Sequence, residues 1–317
     1  MKHNRSMFVI VLIILSLFIG CSKDTTTNPT EITDQEAITQ QVTGIDSIAD
    51  FSSSDEATID DGSAQSWSSN LEKITSPITP LLWGRKVDNV QKTVTVIIDG
   101  DTIATATIRK MVTGRLIILA RITDTTARID TVQKQYTKEF TRQIQFVRVA
   151  RNNDRVKNWK PVAITSIFGK TQLRDFNIAR VEMITPKDTV VMTDTLPHWF
   201  RLGTGTGTIP VVNEGDSITI RLRLLSDNPN TEYAAVRHCV HHRFSYRYRV
   251  RMGITDSVLI GSKYERQFEK RFAVRLPATV DVARYNAVAD VMSYNSINDD
   301  TEPFMNMVLG IPYIVKK

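Results

Sequence analysis

The chain has 317 residues, 41% of them hydrophobic, with 40 Lys+Arg against 34 Asp+Glu and a formal charge of +6 at neutral pH. That apolar share is enough for real cores, which excludes a wholly disordered chain. Two cysteines are too few for a disulfide framework, and the density of Thr, Ser and β-branched residues favours strands over helices.

The first element is Met1–Cys21. Lys2 and Arg5 precede an apolar run, Met7–Ile19, broken only by Ser16 and closing on Leu17-Phe18-Ile19-Gly20-Cys21. A basic start, an apolar segment and a small residue at the end form a secretory signal. The run is shorter than the ~20 residues a spanning helix needs. The Gly-Cys ending resembles the lipobox of bacterial lipoproteins. The resemblance implies a signal peptide over 1–20, a lipid such as palmitate on Cys21, and membrane attachment through that lipid in the cell envelope. Ser22 after the cysteine points to the outer membrane. With Cys21 lipidated, Cys239 has no partner within the chain.

Behind the signal, 297 residues suggest two domains of ordinary size. Their charge is uneven. Cys21–Gly62 holds ten acids and one base, Lys23, whereas Ser63–Lys317 holds 37 bases and 24 acids. A basic body attracts phosphates or acidic polysaccharide, and export makes nucleic acid an unfit partner.

Residues 21–32 are Thr-rich and form a lipid-tethered flexible spacer. Thr33-Asp34-Gln35-Glu36 is a capping-box pattern. Ile38, Val42, Ile45 and Ala49 come after it at helical spacing, predicting an amphipathic helix over Asp34–Asp50. Strands come next. Val94, Val96 and Ile98 alternate with Thr93, Thr95 and Ile97, and Asp99-Gly100 is a two-residue hairpin signal with Thr102–Lys110 as the return strand. Arg115–Ile122, Glu139–Ala150 and Trp159–Phe168 supply three more strands. One capped helix followed by an antiparallel sheet predicts an α+β domain over 33–170. Its element order resembles the nuclear-transport-factor-2-like cone, a family of enzymes and binding modules in which helices pack into a curved sheet.

In the second half, Ile218, Ile220, Leu222 and Leu224 alternate with Thr219, Arg221 and Arg223. Phe244, Tyr246, Tyr248, Val250 and Met252 alternate with Arg243, Ser245, Arg247, Arg249 and Arg251. Phe268, Phe272, Val274 and Leu276 alternate with Glu269, Arg271, Ala273 and Arg275. Each run has one apolar and one charged face, as in antiparallel strands solvated on one side. Asp281-Val282-Ala283-Arg284-Tyr285 has the pattern D-x-A-x-Y and resembles the tyrosine corner of immunoglobulin-like sandwiches. Ala287 stands where antibody domains carry a cysteine. The expected fold is mostly β: the α+β domain, then an immunoglobulin-like antiparallel β-sandwich over 171–317.

Three constellations are chemical candidates. His238-Cys239-Val240-His241-His242 gathers ligand types for zinc or copper. On a strand, His238 and His242 lie about 13 Å apart at ~3.3 Å per residue, so a metal site there requires a turn. The row Arg243, Arg247, Arg249, Arg251 repeats every ~6.6 Å along one strand face and suits an anionic glycan or an acidic envelope protein. Its plain alternative is a solvated face paired with Glu265 and Glu269. Asp299 and Asp300, in the connection before the last strand, are a further binding candidate. No cofactor signature is present: Gly203-Thr-Gly205-Thr-Gly207 is followed by Ile209-Pro210, not by a helix with a phosphate-binding lysine. The resulting expectation is a non-enzymatic binding or structural module on the envelope. The alternatives are an enzyme with a pocket in the first domain and a metal-binding protein using the His238–His242 cluster.

Overall fold

The computed structural model describes residues 32–44, 58–60, 78–122, 129–193, 197–203, 205, 207–238 and 248–317. Met1–Thr33 and Asp34–Lys317 are separate units. The second unit begins with helix α1 (Asp34–Gly44), then strands β1 (Thr58–Asp60), β2 (Ile78–Asp99), β3 (Ile103–Ile122) and β4 (Ile129–Arg148). A 3₁₀ turn, Arg155–Asn158, leads to β5 (Trp159–Thr165), β6 (Ile167–Thr171), β7 (Phe176–Ile184), β8 (Thr189–Thr193), β9 (Trp199–Arg201) and β10 (Val211–Asn213). The chain continues through β11 (Ser217–Ser226), β12 (Tyr233–His238), β13 (Tyr248–Arg251), β14 (Gly253–Ile260), β15 (Lys263–Ala273), β16 (Val282–Met292), helix α2 (Tyr294–Asn298) and β17 (Asn306–Lys316). The fold is mostly β and its sheets are antiparallel, apart from the short parallel pairing of β10 with β17.

Two sheets organise these strands. The larger runs β1-β2-β3-β4-β6-β17-β16-β12-β13, with β5, β9 and β10 attached off that path. The smaller runs β14-β15-β11-β7-β8. The alternation in β11 does what its sequence dictates: Ile218, Ile220, Leu222 and Leu224 are buried, while Arg221 and Arg223 face outward and pair with Glu269 and Glu265 of β15. The two sheets meet face to face, where the His238 ring of β12 stacks on Phe272 of β15 at 3.8 Å. β17 pairs with β16 on one side and with β6 on the other. One sheet therefore runs through the boundary expected at Lys170/Thr171.

Several local expectations are corrected. β3 is one strand of 20 residues, not two. Gly114 lies mid-strand, where a Cβ would stand 2.3 Å from the Lys86 carbonyl oxygen and 2.7 Å from the Tyr136 hydroxyl. It marks a close approach of backbones rather than a turn. The β2–β3 loop holds three residues, since Asp99 faces Ile103, and Gly100 takes the positive φ of 57° it needs. Trp159–Phe168 is not one strand: it breaks at Ser166 between β5 and β6. The α1 helix is described only to Gly44, and Ile45 and Ala49 lie outside the described residues. Its buried face is Ala37, Ile38 and Val42.

Among the described residues, no helix is long and apolar enough to cross a membrane.

Candidate functional site

Residues of the shared sheet alternate between two faces, and each face builds a different structure. On one face, strands near opposite ends of the strand order meet through side chains. The Trp83 ring of β2 packs edge-on against Tyr233 of β12 at 5.0 Å. The Arg249 guanidinium of β13 lies 4.5 Å from the Trp83 ring centre and 4.7 Å from that of Tyr233. Beside them Arg85 of β2 binds Asp290 of β16, Arg237 of β12 lies 2.8 Å from the same carboxylate, and Asn306 of β17 donates to it at 2.7 Å. Lys138 of β4 donates to the Asn306 amide oxygen. Asp290 is fully buried. Burial alone would raise its carboxyl, but Arg85, Lys138 and Arg249 hold it below the usual carboxylate range. This face is filled, and the cluster ties the curled sheet to itself.

The other face is covered by the smaller sheet only as far as β8. Beyond that edge the floor of the shared sheet continues into β17, β6 and β4, and a cavity of about 410 Å³ opens. Thr141 and Gln143 of β4, Phe168 and Lys170 of β6, and Leu309 of β17 form its floor, while Met192 and Thr193 of β8 form a wall and Pro197 an end. The break at Ser166 shapes it. Pairing shifts from Ile144↔Ile164 to Thr141↔Phe168, the register change of a bulge. The Ser166 N–H turns away to donate to the His198 carbonyl at 3.0 Å. Thr165 is held from β4 by the Gln143 N–H, which bonds its hydroxyl at 2.9 Å, and by Arg142 Nε, which bonds its carbonyl at 3.1 Å. Lys170 is the cation of the cleft, 5.7 Å from the Phe168 ring centre. Glu139, its cross-strand neighbour, lies 3.9 Å from Arg109 instead.

The residues singled out in the sequence scatter. Cys21 lies outside the described residues, as do Cys239, His241, His242, Arg243 and Arg247. His238 is buried and stacked on Phe272, and burial pushes its imidazole down to about 4. Arg249 belongs to the filled face, and Arg251 is partly buried on the same strand. Asp299 caps α2, accepting from the Thr301 hydroxyl and the N–H groups of Thr301 and Glu302. Its backbone carbonyl accepts from Lys134, whose amine burial lowers to about 8. Asp300 is exposed beside it. Among the described residues no three His, Cys, Asp or Glu side chains converge on a point suited to a metal ion.

Sequence reasoning missed the cleft because no local pattern announces it: its floor and wall come from four strands. The one readable signal is the polar pair Thr165-Ser166 between the apolar Val162-Ala163-Ile164 and Ile167-Phe168. Set against known proteins, the chain matches no protein-family model and no curated protein.

Proposed function

We propose that this chain is a non-enzymatic binding module of the bacterial cell envelope, exported by its signal peptide and tethered to the outer membrane by lipid on Cys21. In this reading α1 and the strands β1–β6 form the α+β part, and the strands from β7 onward form an immunoglobulin-like sandwich. Support for the sandwich comes from the order β8-β7-β11-β15-β14 facing β10, β17, β16, β12 and β13, with Tyr285 buried near the start of β16. Support for the α+β part comes from the buried face of α1, whose Gln41 amide donates to the carbonyl oxygens of Val156 and Trp159.

The observation that carries the binding reading is the cleft beside β8. Its volume lies in the range of ordinary ligand pockets, its floor is a continuous sheet, and its lining mixes apolar side chains with hydroxyls, an amide, one lysine and the carboxylate of Glu139, which lies 3.9 Å from Arg109. An acidic group on an envelope protein or anionic glycan complements Lys170.

Two measurements test this. Labelled palmitate should enter the full chain expressed in bacteria and be lost in Cys21→Ala, and label independent of Cys21 would refute the tether. The purified chain should retain a component of envelope extract, and the cleft-filling variant Gln143→Trp should lose it. Equal retention by both forms would refute the cleft as the binding site.

A further inference from the structure

We propose that the outer face of the smaller sheet binds a phosphoryl group between Arg180 of β7 and Arg223 of β11. The site shares no lining residue with the cleft beside β8 and does not rest on it.

Strand register lays out the charge on this face. Arg221 lies directly across from Glu182 on one side and from Glu269 on the other, so that row alternates in sign and satisfies itself. The next row along β11 does not. There Arg223 lies directly across from Arg180 on one side and from Gln267 on the other. Like charges directly opposite are destabilising. The acids nearest these two arginines come from outside the row. Arg180 reaches Glu182 on its own strand at 2.6 Å through one terminal nitrogen. Arg223 Nη1 lies 3.7 Å from Glu265, beyond hydrogen-bond range. A guanidinium carries five N–H donors, so these contacts leave donors on both groups.

Two bulges bracket the row. In β7, Ile178 pairs with Leu224 and Arg180 with Arg223, which makes Ala179 an extra residue. With unbroken register Ala179 would face Arg223, and Arg180 would stand opposite the buried Leu222. The bulge instead brings Arg180 out beside Arg223. In β14, Ile254 pairs with Phe268 and Asp256 with Gln267, which makes Thr255 the extra residue. Its hydroxyl donates to the Gln267 carbonyl oxygen at 3.3 Å. Bulges re-aim side chains and are over-represented beside functional sites. Over this row opens a cavity of about 450 Å³, whose lining includes Arg180, Arg223, Gln267 and Thr255.

The geometry selects the ligand. Side chains directly opposite have Cβ atoms about 5 Å apart, close enough for two guanidinium forks to close on one tetrahedral anion. A phosphoryl group has acceptor oxygens for both forks, whereas a carboxylate matches only one. Glu182 and Glu269 flank Arg221 in the next row and repel a second anion, which limits the site to one phosphoryl group rather than a row of them.

The test titrates inorganic phosphate into the full chain in detergent and follows the arginine Nε–H signals by NMR. Those of Arg180 and Arg223 should shift in a saturable way. Arg180→Gln and Arg223→Gln should each weaken binding about tenfold, the loss of a charge-assisted hydrogen bond. Arg271→Gln removes the same charge from β15, about 13 Å from Gln267. At that distance salt screens it, and affinity should change less than about twofold. Arg223→Gln should also keep or raise the melting temperature, because a like-charge contact is relieved. Glucose 6-phosphate and short-chain phosphatidylglycerol, titrated in the same way, distinguish a phosphorylated glycan from a lipid headgroup: the source is the one that binds more tightly than inorganic phosphate, and free phosphate is the ligand if neither does. No saturable shift, unchanged affinity in Arg180→Gln and Arg223→Gln, or equal weakening by Arg271→Gln would overturn the site. Gln143→Trp in the cleft should leave phosphate binding intact, so the two sites fail separately.

Discussion

Arg85 and Asp290 are 205 positions apart in the chain, yet Arg85 donates from both terminal guanidinium nitrogens to the two oxygens of the Asp290 carboxylate. The contact joins β2 to β16, strands that are not neighbours in the sheet, and so fixes how far the sheet curls. Asp290 is the shared anion: it also holds Arg237 and Asn306. Its removal strands two buried guanidiniums, whereas removal of Arg85 leaves the carboxylate with Arg237 and Asn306. Asp290→Ala should cost about 3–5 kcal/mol, the usual penalty for breaking a buried pair, and Arg85→Met distinctly less. Urea denaturation midpoints check the order.

The buried His238 makes stability depend on pH. Its folded-state value of about 4 lies below the usual 6.5 for an unfolded imidazole. Between those values the unfolded chain binds the proton and the folded chain does not, so stability rises with pH there. The contribution is complete above pH 6.5 and is lost as pH falls toward 4, a span worth about 3 kcal/mol. Replacing His238 by Phe keeps a ring against Phe272 and should flatten the slope of unfolding free energy between pH 4 and 6.5. An unchanged slope would mean that another group carries it.

Two glycines separate backbone from side-chain obstruction. A Cβ at Gly169 would meet the Phe140 ring at 2.4 Å, while a Cβ at Gly114 would meet a backbone oxygen at 2.3 Å. Both alanine variants should be overpacked, by about 1–3 kcal/mol. Adding Phe140→Leu should recover much of the loss in Gly169→Ala, because the obstructing ring is gone. Adding Tyr136→Phe should not rescue Gly114→Ala, since the Lys86 carbonyl remains. Thermal melts of the four variants decide this.

The start of helix α1 is held by charge. Asp34 binds Arg148 of β4 and lies 3.7 Å from Arg155, and the Arg148 guanidinium covers the Trp159 ring at 4.8 Å. Arg148→Ala removes the ion pair and the stacking together. Amide exchange within Asp34–Gly44 should accelerate while β3 and β4 keep their protection. Uniform loss of protection would show instead that the helix and sheet unfold as one.

Strands whose two faces differ were legible in the sequence. β11 announced its buried face through Ile218, Ile220, Leu222 and Leu224. Arg249 shows where such reading stops. Alternation assigns it to a charged face and charge suggests solvent, but the sheet curls until that face meets Trp83. Curvature is a property of strand twist summed over the sheet, and no window of sequence contains it. The cleft was invisible for a related reason. Its floor residue Leu309 and its wall residue Met192 are brought together by the place where one sheet ends and the other continues.

The pairing of β6 with β17 also sets an order of events during synthesis. Lys170 emerges 137 positions before its partner Met307. Until β17 arrives, β6 has β4 on one side and a bare edge on the other. Strand pairing over such separations is slow, because the loop must close before the contact repays it. The nascent chain therefore passes through a stage in which a long, half-finished sheet is open to the wrong partner. Until β17 is made, that edge is a place where a chaperone would act.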